Sequence, residues 1–187
     1  MNYGFVKVAA AVPRVKVADC QYNAEQIEGM IHEAEEKGVQ IIAFPELCIT
    51  GYTCADLFAQ ELLLEKAEMA LVQVMNNTRQ LDIICVVGMP VTTNTILLNA
   101  AVVFQAGKIL GVVPKTYLPN YKEFYEQRWF TSARDVVDKT VRLCGQLVPV
   151  SSSLLFDTPD ACFGVEICED LWSVIPPSSK LALEGAE

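Results

Sequence analysis

One histidine, His32, is all the imidazole this chain contains. A cysteine or serine nucleophile would therefore need a different proton acceptor unless His32 served. His32 shares a helical stretch with Glu28, Glu33, Glu35 and Glu36 and lies off its apolar stripe, which marks a solvated surface position. Basic residues are also sparse: 14 against 23 acidic ones give a net charge of −9 and a pI near 4.6. With no long basic stripe to neutralise a phosphate backbone, nucleic acid is not expected as a partner. No run approaches the ~20 apolar residues that span a bilayer, and residues 1–7 lack a basic stretch followed by an apolar signal core. The expectation is a cytoplasmic protein without a membrane partner. The seven cysteines are odd in number, include no C-x-x-C pair and mostly sit in apolar runs. Disulfide frameworks and metal sites are both disfavoured.

What is present is apolar residues, 52% of 187, with a mean hydropathy of +0.29, enough for one compact core. Residues 5–12 read as a first buried strand. A helix follows, opened by Asn23 with Gln26 three residues on, a capping-box spacing. Ile27, Met30, Ile31 and Ala34 recur at helical spacing until Gly38, and residues 39–44 form a short apolar strand. After a loop at 51–56, residues 57–77 carry a second helical pattern. Residues 83–87 then read as a strand ended by Gly88 and Pro90. Two further β-like runs, 96–104 and 108–113, are joined by a connection short enough for a hairpin, so a purely parallel sheet is not expected. Residues 116–130 are aromatic and charged without a clean period, as in a structured loop over a site. Residues 131–150 carry no decisive pattern. Residues 153–156 and 161–167 suggest a hairpin leading into Cys168. The run from Pro176 reads as a helix start with no strand after it, which suggests a piece of a longer protein.

Three polar residues stand directly after apolar runs: Glu46, Lys115 and Cys168. If they share one sheet edge they form a coherent set for attack on an amide or nitrile. Glu46 would take the thiol proton, Cys168 would add to the carbon, and Lys115 with a backbone N–H near Glu169 would stabilise the oxyanion. Taken singly, Cys168 also reads as a structural thiol, Lys115 as a solvated side chain and Glu46 as a helix cap.

The segments Phe44-Pro45-Glu46-Leu47-Cys48-Ile49-Thr50-Gly51-Tyr52, Lys115-Thr116-Tyr117-Leu118-Pro119-Asn120-Tyr121 and Gly164-Val165-Glu166-Ile167-Cys168-Glu169-Asp170 resemble, in order, the Glu, Lys and Cys motifs of the nitrilase (carbon–nitrogen hydrolase) superfamily. The resemblance implies an α/β fold, the four-layer α-β-β-α sandwich, incomplete at the C-terminus. It also implies Glu46 as base, Lys115 as oxyanion stabiliser, Cys168 as nucleophile and Glu123 as a supporting glutamate.

The loops at 51–58, 118–130 and 169–172 are similar to those of glutaminase domains of glutamine-dependent NAD synthetases. This narrower resemblance implies glutamine as substrate, with Tyr52, Tyr121, Phe124 and Glu169 in contact with it. Residues 1–187 would be the N-terminal portion of such a domain, serving a C-terminal synthetase domain that uses ATP and Mg2+. The piece itself would need no cofactor. Its exposed face would favour a homo-oligomer. A free-standing amidase or nitrilase, or a non-catalytic scaffold, are the alternatives.

Overall fold

The computed structural model describes residues 4–93 and 95–187. Five strands make one mixed sheet in the order β1 (Val8–Ala10), β2 (Ile41–Ala43), β3 (Ile84–Thr92), β4 (Leu97–Gln105), β5 (Lys108–Pro114). The first three are mutually parallel, and β4 runs antiparallel to both β3 and β5. The β4–β5 hairpin turns on Ala106 and Gly107 at φ of +48° and +78°, the doubly left-handed turn that matches strand twist.

Side chains alternate across this sheet with period two. Cys85, Val87 and Met89 of β3 and Ala100, Val102 and Phe104 of β4 face the helical layer, α1 (Cys20–Glu36) and α2 (Glu61–Asn77). Ile27, Ile31, Ala67, Leu71 and Val74 bury against them. Each such Ile, Leu or Val side chain contributes on the order of 1.5–3 kcal/mol, which makes this the main core. The opposite face carries Ile84, Val86, Ala101, Val103 and Val113, packed under Phe156 and Ile167. Its cover is slighter: the two-residue strands β8 (Phe156–Asp157) and β9 (Cys162–Phe163) and the chain that follows them. A second hairpin, β6 (Thr140–Leu143) and β7 (Gln146–Pro149), occupies part of the stretch without a sequence pattern. It too turns on a doubly left-handed pair, Cys144 and Gly145 at +50° and +74°. The chain ends with the short helices α3 (Glu169–Trp172) and α4 (Pro177–Leu183). Among the described residues, no helix is long and apolar enough to cross a membrane.

Several expectations are corrected. The first strand is an exposed edge of three residues, with Val8 65% accessible, and among the described residues no strand pairs on its outer side. The cap of α1 is Asp19, whose carboxylate accepts the Tyr22 N–H. Asn23 is buried instead. It accepts the Lys16 N–H and donates to the carbonyls of Lys16 and Ile49, pinning α1 to the turn that follows β2. Helix α2 starts at Glu61, after a 3-10 stretch at Tyr52–Ala59. Strand β3 runs on through Gly88 and Pro90. Its register with β2 ends at Val86, so the missing proline N–H falls where one edge of β3 has no strand partner.

Candidate active site

Strands β2 and β5 point the same way, so the residues after their C-terminal ends meet at one sheet edge. The turn carrying Glu46 closes there with Leu47 left-handed at φ +50° and fully buried. Its Ile49 N–H donates to the Gly88 carbonyl. The turn sits directly on the backbone of β3: a Cβ at Gly88 would lie 2.5 Å from Leu47 N and Pro45 O. Only glycine permits that approach. Gly88 is therefore the floor of the Glu46 turn rather than the end of a strand.

Lys115 follows β5, with its N–H donating to the Asn99 carbonyl at 2.8 Å. Its side chain is entirely buried, a position that a lysine holds only when paired. Nζ lies 2.5 Å from Glu46 Oε1, and 2.8 and 3.0 Å from the two oxygens of Glu126. Asn99 Nδ2 bridges the same carboxylates, at 2.6 Å to Glu46 Oε1 and 3.3 Å to Glu126 Oε2. Tyr52 donates its hydroxyl to Glu126 Oε1 at 2.8 Å. Burial alone would pull the Lys115 ammonium down, but the two carboxylates outweigh it and the group stays protonated. Burial, then the Glu46 charge, pushes the Glu126 carboxyl up, only partly offset by Lys115 and Tyr52.

The structure does not bring Glu123, expected as a supporting glutamate, into this cluster. Glu123 is exposed, whereas Glu126 is buried against Lys115. The chain turns at Tyr121–Phe124, and the Glu126 N–H bonds to the Pro119 carbonyl, which directs the later glutamate inward.

Cys168 heads α3 at φ +47°, ψ −100°, a strained conformation for a residue with a Cβ. Asp170 holds it there. That buried carboxylate accepts the N–H groups of Ile167 at 3.1 Å, Thr116 at 3.0 Å and Tyr117 at 2.7 Å, tying the Cys168 turn to the segment after Lys115. Cys168 is exposed, and it lines the same cavity as Glu46. Partial desolvation of the sulfur, then the Glu46 charge, raises the thiol above its ordinary value even though the residue is exposed, with Lys115 opposing. The resting site thus pairs a protonated thiol with an adjacent carboxylate.

The structure also gathers the four residues expected to meet substrate. Tyr52, Phe124 and Tyr121 stack edge-on in sequence, with centroids 6.4 and 5.9 Å apart, and the Tyr121 hydroxyl donates to Glu169 at 3.0 Å. Glu46, Tyr52 and Cys168 line a cavity of about 520 Å³. Tyr121 and Glu169 border a neighbouring one of about 780 Å³ that includes Arg134. Asn99, Glu126 and Asp170 are site residues that the sequence reading passed over. Asn99 alone carried a signal, as the polar residue inside an apolar strand of nine whose other polar residue, Gln105, is its last.

The chain is 38% identical over 188 aligned residues to a glutamine-dependent NAD(+) synthetase of Mycobacterium bovis, covering 99% of this chain and 28% of that protein. A glutamine-dependent NAD(+) synthetase crystal structure from Cytophaga hutchinsonii superposes with a TM-score of 0.80 at 30% identity, over 88% of this chain and 28% of that one. An amidase from Nesterenkonia sp. shares the fold at 18% identity, with a TM-score of 0.73 over 97% of this chain and 62% of its own. The chain thus spans little more than a quarter of the length of the synthetases it matches. The carbon-nitrogen hydrolase family profile matches residues 7–187, and with the nitrilase fold and the clustered Glu46, Lys115 and Cys168 already described, the chain belongs to the carbon-nitrogen hydrolase family.

Proposed function

We propose that this chain hydrolyses the side-chain amide of glutamine through a thioester on Cys168. The observation that carries the reading is the cluster at the sheet edge: Lys115 Nζ lies 2.5 Å from Glu46 Oε1, and Glu46 and Cys168 line one cavity. In this reading Glu46 takes the thiol proton as sulfur adds to the amide carbon. The carbonyl oxygen becomes an oxyanion facing Lys115 and the Glu169 N–H, which opens α3 ahead of its first helical hydrogen bond. Glu46 then delivers the proton to the amide nitrogen, the C–N bond breaks and ammonia leaves. Water, deprotonated by Glu46, attacks the thioester, the C–S bond breaks, and the proton returns to Cys168 as glutamate departs.

Glutamine rather than another amide is supported by the identity to glutamine-dependent NAD(+) synthetases and by the run Tyr52, Phe124, Tyr121 and Glu169 beside the thiol. The proposal makes residues 1–187 part of an N-terminal glutaminase domain and gives the chain no cofactor of its own. ATP and Mg2+ serve a separate synthetase domain that receives the ammonia to amidate deamido-NAD in the cytoplasm. Exposed Leu171, Trp172 and Val174 support self-association, which sedimentation would measure. Ammonia release from glutamine tests the reaction. Cys168→Ala is expected to abolish it, and undiminished release by that variant would overturn the proposal.

A further inference from the structure

We infer that Asn99 is a positioning residue that decides which oxygen of Glu46 serves as the base. The inference rests on the roles proposed for Glu46 and Cys168, and its ground is an asymmetry between the two carboxylates around Lys115. Glu126 chelates the ammonium with both oxygens, at 2.8 and 3.0 Å. Glu46 uses only Oε1, which accepts Lys115 Nζ at 2.5 Å and Asn99 Nδ2 at 2.6 Å. Both lone-pair directions of Oε1 are thereby engaged, so in the proposed reaction Oε2 is the oxygen that takes the thiol proton.

Without the Asn99 donor, nothing in this geometry opposes rotation of Glu46 into the two-oxygen grip that Glu126 already shows. That rotation would withdraw the base from Cys168. The orientation of the amide follows from its neighbours. Turned over, its oxygen would face two carboxylates, whereas as placed both N–H groups are used, one on each. The residue is 1% exposed and its Oδ1 accepts no hydrogen bond among the described residues. An apolar side chain would avoid that unpaired oxygen, so a core role alone does not account for asparagine here. Its backbone fixes its place in turn, because the Asn99 carbonyl accepts the Lys115 N–H. One residue of β4 thus anchors the lysine's backbone and sets the facing of the base.

The test uses two variants, Asn99→Leu and Asn99→Asp, with two readouts. Iodoacetamide alkylation of Cys168, followed by peptide mass mapping, reports activation of the thiol without any substrate. Ammonia release from glutamine gives kcat and KM. Asn99→Leu removes both donors and is expected to slow Cys168 alkylation and lower kcat together, by about 10- to 100-fold, with KM changed by less than about threefold. Asn99→Asp is expected to show the same loss near neutrality. Its rate relative to wild type should rise as the pH falls from about 8 to about 5, where a protonated carboxyl regains one donor. If Asn99→Leu does not fold, the Asn99→Asp profile decides alone. Rates per folded molecule and pH profiles matching wild type, with only a lower melting temperature, would overturn the inference. A wild-type chain that alkylates but releases no ammonia from glutamine would overturn the proposed substrate instead, and the alkylation comparison would still judge Asn99.

Discussion

Two carboxylate–cation clusters tie the aromatic loop of residues 116–130 to the rest of the molecule, and they respond to their surroundings in opposite ways. Outside, Arg128 grips Asp56 through two nitrogens at 2.6 and 3.0 Å, with Trp129 Nε1 adding a third bond at 2.9 Å. Both partners are well exposed, and Asp56 is held down to about 2 by Arg128 and Trp129. Inside, Lys115 and Glu126 make a pair of similar length with side chains 0% and 2% accessible, yet the Glu126 carboxyl is pushed up. Water decides the difference. Where solvent remains, the cation simply favours the charged acid. Where it is excluded, desolvation and the second carboxylate, Glu46, outweigh the cation. The outer pair is a clamp, and the inner cluster holds the cation and the carboxylate that the proposed reaction uses as its base.

The sharpest break is Lys115→Met, which leaves buried Glu126 and partly buried Glu46 without their shared cation. Ammonia release is expected to vanish and stability to fall by about 3–5 kcal/mol, read by denaturant titration. Adding Glu126→Gln should restore part of that stability and none of the activity. Next comes Gly88→Ala, whose Cβ would press on Pro45 O and Leu47 N at 2.5 Å. It is expected to cost about 1–3 kcal/mol and to lower kcat by about 100-fold through displacement of Glu46, with the buried lysine still in place.

A smaller effect concerns the thiols that the site does not use. Burial pushes Cys20 up to about 11 and Cys48, Cys85 and Cys144 up to about 12, from 9.0. Below pH 9 both folded and unfolded chains keep these protons, so their contribution to stability is complete. As the pH climbs from about 9 towards 12 the unfolded chain releases them first, and the melting temperature should fall steadily.

The smallest effect is expected at the outer pair. Arg128→Ala should leave thermal unfolding at neutral pH indistinguishable from wild type, as exposed pairs usually do. What Asp56 contributes is present above 3.8 and fades as the pH falls towards about 2, because its folded value is depressed. A large loss on removing Arg128 would break the contrast between clamp and cluster.

Glu46, Lys115 and Cys168 were legible because each stands in a motif after an apolar run, and the strands do deliver the first two to one edge. That Tyr52, Phe124, Tyr121 and Glu169 lie against one another was legible for the same reason, through their loops. Glu126 was not, because nothing in a loop without periodicity tells one glutamate from another three residues away; the inward turn at Tyr121–Phe124 makes the choice. Helix α1 was found but its cap was misplaced, since Asn23 satisfies a tertiary contact to Ile49 that local spacing does not encode. The hairpin of β6 and β7 was missed although Cys144-Gly145 sits between alternating residues, a turn pair outside the usual Asn-Gly or Asp-Gly.

The central claim is that Glu46 activates Cys168 for covalent attack on a glutamine-like carbon. Treatment with a diazoketone analogue of glutamine, followed by peptide mass mapping, tests it most directly. The account predicts one adduct, on the peptide containing Cys168, slowed strongly by Glu46→Gln and absent from the other six cysteines. An adduct on a different cysteine, or equal labelling with Glu46 replaced, would contradict it.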